Sequence, residues 1–365
     1  MDARAVTVAE LETPALLLDL DIMAANLAST SARLGDRGIS LRPHAKTHKS
    51  VEVARCQLDH GAVGLTVATI GEAEVFARHG FTDLFIAYPL FATGAKAARL
   101  AELAGRVKLR AGVESVAGAQ ALAQALAHAN GPAPAEVLIE IDSGQHRTGV
   151  PPGAAGELAA ACRSLGLDVA GVFTHGGHGY AGPGAPAGAA ADEDAALWSA
   201  AEQLTGAGFD VREVSAGSTP TVALAGSHIT EERPGTYVFN DRQQLVLGSC
   251  RPEEVAVTIA ATVVSTTVKG QAVIDAGSKA LASDRPAWLT GHGSVPDLGG
   301  AVVASLSEHH GLVDLAGHPV PAVGTVVTVI PNHICTVVNL FDRYTLLRSG
   351  QPAGTWPIEA RGHLS

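Results

Sequence analysis

Eight short extended runs, most separated from the next by a helix-forming stretch, constrain this chain more than any single residue does. The runs are 39–44 (ISLRPH), 62–67 (AVGLTV), 83–88 (DLFIAY), 107–113 (VKLRAGV), 136–142 (EVLIEID), 168–174 (DVAGVFT), 211–217 (VREVSAG) and 236–240 (TYVFN). Helical patterns fill most of the gaps, as at 50–61, 71–80 and the alanine-rich 115–130, while 218–235 is the poorest of them. Strands joined through helical crossovers run parallel, and eight of them close into an α/β barrel. An apolar run at 15–21 and a helical stretch at 22–34, ended by Gly35 and Gly38, precede the series.

The texture changes after about residue 245. Residues 254–268, 271–277, 301–307 and 324–330 are β-branched and alternating, with little helical patterning between them. They read as an antiparallel β domain. The expected organisation is a barrel over 12–245 and a β domain over 246–365, with residues 1–20 packing against the latter. The Ala/Gly/Pro stretch 179–194 reads as a mobile loop that opens the next helix.

The 47% hydrophobic content of the 365 residues excludes disorder as the main state. No apolar run reaches the length of a membrane span. The first residues, MDARAVTVAELETP, carry acids where a signal peptide needs a basic and then an apolar run. A cytoplasmic protein is expected. Four cysteines are too few for a disulfide scaffold, and a net charge of −11 disfavours nucleic acid as a partner.

A parallel barrel carries its active site at the C-terminal ends of its strands. Polar clusters fall at five of those positions. They are Arg42–Lys49, Asp142–Gly149, Thr174–Tyr180, Ala216–Thr221, and the group Tyr237, Asn240 and Asp241. Lys46 sits among two histidines and another lysine, where a lowered pKa would suit Schiff-base chemistry, although most lysines are simply surface cations. Gly217, Ser218 and Thr219 offer amides and hydroxyls suited to phosphate, or form a plain turn. Arg147 reads equally as an ion-pair partner, and His175 and His178 as ordinary loop histidines. In the β domain, His333 and Cys335 are two residues apart. On a strand they would face one side and meet one ion, for which imidazole and thiolate suit Zn²⁺. A lone Cys335 would more often be a small buried hydrophobe.

These segments together resemble the D-serine dehydratase / D-threonine aldolase family. The matching pieces are Thr13-Pro14-Ala15 with Asp19-Leu20-Asp21, Arg42–Lys49, Asp142-x-Gly144-x-x-Arg147-x-Gly149, Gly177-His178-x-Tyr180, Gly217–Thr221, Pro234–Tyr237 and His333-x-Cys335. The resemblance implies a TIM-like, alanine-racemase-type barrel (PLP fold type III) with a C-terminal antiparallel β domain. It implies that Lys46 carries pyridoxal 5'-phosphate through a Schiff base and that Gly217, Ser218 and Thr219 hold its phosphate. Arg147 would lie beside the ring's phenolic oxygen, Tyr180 and Tyr237 would line the pocket, and His333 and Cys335 would bind a divalent metal, Zn²⁺ by preference. The family's site lies between barrel and β domain, usually completed across a homodimer.

The activity so implied is a lyase acting on β-hydroxy D-amino acids. Members resembling dehydratases carry His-x-Cys at the metal and well-known aldolases His-x-Asp, so Cys335 favours dehydration to a 2-oxo acid and ammonia. The alternative is D-threonine aldolase-type cleavage to glycine and an aldehyde. An amino-acid racemase needs no metal, which the His333-x-Cys335 pair counts against. A single-barrel cofactor carrier would lack the β domain.

Overall fold

The computed structural model describes residues 8–127, 129 and 135–365. The end of the helix expected at 115–130 and the first seven residues lie outside them. The chain divides into two compact units. One comprises Ser29–Lys46, Val53–Gly235 and Gly362–Ser365; the other takes the chain up to Ala28, Thr47–Glu52 and Thr236–Arg361.

Strand β1 (Ala15–Asp19) belongs to the second unit, and the first unit is built on the next eight. These are β2 (Ser40–Leu41), β3 (Leu65–Val67), β4 (Asp83–Pro89), β5 (Lys108–Val113), β6 (Glu136–Glu140), β7 (Asp168–Phe173), β8 (Glu213–Ala216) and β9 (Glu231–Glu232). All their pairings are parallel, in the order β2-β9-β8-β7-β6-β5-β4-β3. A parallel bridge between His44 and Thr66 joins the two edges. There Ala45 N donates to Thr66 O and Thr66 N to Pro43 O, each at 2.8 Å. The sheet is therefore a closed α/β barrel. Two of its crossover helices start on side-chain caps: Thr69 Oγ1 accepts from Glu72 N at 3.0 Å, and Ser115 Oγ from Gly118 N at 3.1 Å.

Two expectations fail here. Residues 236–240 are not the eighth strand; Thr236–Val238 is a 3₁₀ turn in the other unit, and Glu231–Glu232 takes the place in the barrel. Aromatic and β-branched composition mimics a strand at 236–240, while the real strand is two buried glutamates, the first held by Arg42, Arg110 and Ser215. The stretch 179–194 is mostly ordered helix, because a helix runs over Ala185–Gly206 with Pro186 in its first turn. The weak patterning of 218–235 corresponds to one short 3₁₀ turn, Val222–Leu224.

The second unit adds β10 (Val257–Ser265), β11 (Gln271–Ile274), β12 (Gly293–Val295), β13 (Ala301–Leu306), β14 (Gly311–Asp314), β15 (Val326–Pro331), β16 (Arg343–Arg348) and β17 (Gln351–Pro357). The order β10-β11-β14-β13-β12-β15 returns to β10, which makes a closed antiparallel barrel. Strand β1 pairs antiparallel with β10 and parallel with β16, so this sheet carries one parallel contact. Among the described residues no helix is long and apolar enough to cross a membrane.

The α/β barrel is closed at the N-terminal ends of its strands by ions. Glu231 is fully buried and Arg42 is 2% exposed. Glu231 Oε2 accepts from Arg42 Nε at 2.6 Å and lies 3.5 Å from Arg110 Nη1, while Oε1 accepts from Ser215 Oγ at 2.7 Å. Arg42 also reaches Asp83, and Arg110 reaches Glu136 at 2.7 Å and Glu213 at 3.0 Å. Every charge in the set has a partner, which buried charges require. Arg42→Ala should therefore cost about 3–5 kcal/mol, because it removes the cation hydrogen-bonded to buried Glu231 and leaves Arg110 at 3.5 Å and the field of Arg233. Urea unfolding measures this; a loss below about 1 kcal/mol would show that the network does not hold the barrel closed.

Candidate active site

Within the first unit, the predicted residues gather around one that the sequence reading treated as ordinary, His175. It follows β7, half-buried, and its Nδ1 lies 3.2 Å from Gly217 O. Its ring centroid is 6.5 Å from that of Tyr180. Burial, then the charge on Lys46 and lesser ones on Arg147 and Arg233, pushes its pKa down to about 3. His175 is thus a neutral imidazole among three cations. Lys46 itself is half-buried, directly after the bridge at His44, and its amide donates to His44 Nδ1 at 3.4 Å. Arg147 is exposed in the loop after β6.

Gly217, Ser218 and Thr219 follow β8 and are buried. Gly217 has φ +117°, and a Cβ there would run into the Glu232 carboxyl and the Arg233 amide. This is a position that only glycine fills comfortably. The turn is supported from below by Glu193, whose Oε1 accepts from Gly217 N at 3.1 Å and Gly176 N at 2.8 Å. Ser218 N donates to Thr221 Oγ1 at 3.2 Å. Two amides expected to face a phosphate are therefore committed inside the protein. Glu232, fully buried, has no hydrogen-bond partner for either oxygen among the described residues. Burial and the nearby Glu193 hold its carboxyl well above the usual range.

Within the second unit, His333 and Cys335 do not lie on a strand. Strand β15 ends at Pro331, and Ile334–Val338 is a short helix with His333 as its N-cap. The cap residue is extended, at φ −138° and ψ 104°, and a hydrogen bond links its ring to Cys335. The two side chains thus converge by a route other than the expected one. Buried Asp241 accepts from Ile334 N and from Gln244 N, each at 3.0 Å. His333 Nδ1 lies 2.8 Å from Asp284 Oδ2. Cys335 Sγ is 3.2 Å from Thr47 Oγ1 and 3.6 Å from Thr236 Oγ1. Thr47 is the residue that follows Lys46 in the chain. Tyr237 is buried in the 3₁₀ turn beside Thr236. Among the described residues no group of three or more His, Cys, Asp and Glu could hold a metal by itself, so His333 and Cys335 make an incomplete, open pair.

Sequence reasoning passed over His175, Glu193, Glu232 and Asp284 as site residues. His175 carried a signal, since it stands at a strand end before two glycines. Glu193 was hidden in a stretch read as loop. Asp284 lies 49 residues before His333, with no motif linking them.

Comparison with known proteins matches both parts. The alanine racemase N-terminal domain matches residues 18–243, and the putative serine dehydratase domain residues 256–347. The D-threo-3-hydroxyaspartate dehydratase of Delftia sp. (strain HT23) is 38% identical over 375 residues, covering 96% of this chain and 98% of its own. Two solved variants of a dehydratase of that name, both 34% identical, superpose with a TM-score of 0.88. A histidine-to-alanine form covers 97% of this chain and 96% of its own. A cysteine-to-alanine form, described as metal-free, covers 96% and 98%. The D-threonine aldolase from Filomicrobium marinum is 29% identical at a TM-score of 0.87, covering 100% of both chains.

The depressed pKa of His175 makes a prediction about acid stability. Its native value is about 3, below the ordinary histidine value of 6.5. Between those values the unfolded chain binds a proton that the native protein does not, so the contribution of His175 is intact above pH 6.5 and is lost as pH falls. His175→Asn should make the decline in unfolding free energy between pH 7 and 4 shallower than in the parent. Parallel declines would show that His175 does not stay neutral in the fold.

Proposed function

This chain belongs to the family that joins an alanine racemase N-terminal domain to a serine dehydratase domain, and on that premise we propose that it is a pyridoxal 5'-phosphate- and metal-dependent lyase acting on β-hydroxy D-amino acids. Elimination to a 2-oxo acid and ammonia is the favoured outcome. Retro-aldol cleavage to glycine and an aldehyde is the second, because an aldolase matches the whole chain nearly as closely in structure as the dehydratase does.

The observation that carries the reading is the convergence of the His333 ring and the Cys335 thiol at the start of the short helix after β15. The residues also fit the two groups. Three cations bear on a neutral His175, a field that favours an anionic ligand, and Gly217 shapes a turn in which a Cβ has no room. His333 and Cys335 offer a nitrogen and a sulfur, the donor set that suits Zn²⁺. In the related dehydratase the two altered residues are a histidine and a cysteine two positions apart, the spacing of His333 and Cys335.

When bound, the cofactor supplies an electron sink for charge at Cα, and the metal a Lewis acid for the β-oxygen. Lys46 holds the cofactor and then moves the Cα proton. By the family resemblance Arg147 would stand beside the cofactor ring, and Tyr180 and Tyr237 would line its pocket. The Gly217–Thr219 turn would hold the phosphate through its hydroxyls and remaining backbone, since the amides of Gly217 and Ser218 are already bonded within the protein. Neutral His175 keeps that turn in place through Gly217 O.

Product analysis with D-serine, D-threonine and D-threo-3-hydroxyaspartate tests the proposal. A 2-oxo acid with ammonia is expected, and Lys46→Ala should lower turnover by about 10²–10⁴-fold or more, the range for loss of a positioned proton carrier. Glycine with an aldehyde would reassign the chain to cleavage. Racemised substrate with neither product, or full turnover after verified metal removal, would overturn the lyase reading.

A further inference from the structure

We propose that Asp284 is a positioning residue for the metal pair, locking the His333 ring through Nδ1 so that Nε2 is the nitrogen left for the metal. The inference deepens the reading above and rests on it. The Asp284 carboxylate is 2.8 Å from His333 Nδ1. A carboxylate only accepts, so Nδ1 carries a proton, and Nε2 is the ring nitrogen through which a metal would bind. The Nδ1 proton is thus held by Asp284, and binding an ion shared with the Cys335 sulfur would fall to Nε2.

Asp284 is itself anchored. Asn332, the residue before His333, donates from Nδ2 to Asp284 O at 3.0 Å and to Gly291 O at 2.8 Å. Asn332 Oδ1 accepts from Arg242 Nη1 at 3.0 Å, and the same Nη1 donates to Thr290 O at 2.6 Å. One asparagine therefore ties the segment bearing Asp284 to the segment bearing His333. Asp284 Oδ2 lies against Nδ1, on the ring edge away from Nε2, so it supports the ring rather than standing in for a metal ligand. Partners of this kind typically account for 10–100-fold in metal affinity.

The test is Zn²⁺ affinity, measured on the full chain loaded with pyridoxal phosphate and stripped by a chelator, in competition with a chromophoric indicator. Asp284→Ala should weaken Zn²⁺ by about 10–100-fold. Asp284→Asn keeps an acceptor oxygen and should lose less, which keeps the test open if the alanine variant does not fold. The Co²⁺-loaded variants should retain the thiolate-to-metal absorption band at saturating metal, because Cys335 is untouched. His333→Ala and Cys335→Ala serve as controls. If either control binds Zn²⁺ as tightly as the parent, the metal reading itself fails. If both controls lose Zn²⁺ while Asp284→Ala and Asp284→Asn bind like the parent, Asp284 positions nothing and this inference fails.

Discussion

Closure of the α/β barrel depends on one buried carboxylate, Glu231. The strands that complete the ring, β2 and β9, pair over only two residues each, so their backbone ladder is short. Glu231 adds what the ladder lacks. It takes hydrogen bonds from Arg42 and from Ser215 on β8, and Arg110 on β5 comes within reach. Bringing these charges out of water is costly, and a closed set of partners is what offsets that cost. The arrangement also removes the need for bulky apolar residues at this end of the lumen, which suits a chain with only 4% aromatic residues.

The same short strand sets the electrostatics of the opposite end. Successive residues on a strand point to opposite faces. Glu231 faces the lumen, and Glu232 faces outward to Glu193 on the Ala185–Gly206 helix and to Gly217. Arg233 returns to the lumen, where it bonds Thr174 O and Ser215 Oγ, with its guanidinium 5.6 Å from the Phe85 ring centroid and 5.3 Å from that of Phe173. A cation is thus fixed under the residue before His175, next to the charges of Lys46 and Arg147. The acids behind the turn do not cancel this field. Burial and the neighbouring Glu193 favour the uncharged form of Glu232, burial raises the Glu193 carboxyl as well, and Glu193 Oε1 accepts from the amides of Gly176 and Gly217.

Much of this was legible because it is periodic. Seven of the eight barrel strands announce themselves by apolar runs between helical stretches, and the β-rich tail by alternation. The strand that closes the ring did not, since Glu231-Glu232 has no strand propensity and owes its place to tertiary partners. The polar clusters at strand ends pointed to Lys46, Arg147 and the Gly217–Thr219 turn because barrel topology says where to look. It could not say which of their neighbours would be buried with them. Glu193 and Asp284 become site residues only through contacts made across 24 and 49 positions of the chain.

The His333-Cys335 pair shows how a correct convergence can follow from a mistaken local structure. The strand argument needs extended backbone at both residues, yet Cys335 is in a helix. It works because a helix N-cap is itself extended, so His333 leaves the backbone as a strand residue would while Cys335 turns back from the first turn. What holds that junction in place is Asp241. Its carboxylate caps the Arg242–Leu247 helix through Gln244 N and also takes Ile334 N, an amide that the short helix cannot satisfy internally. One buried acid thereby joins two helix starts and fixes the backbone of His333, while Asp284 fixes its ring. The geometry of a two-residue motif is thus set by two carboxylates outside it, and a sequence pattern alone does not contain them.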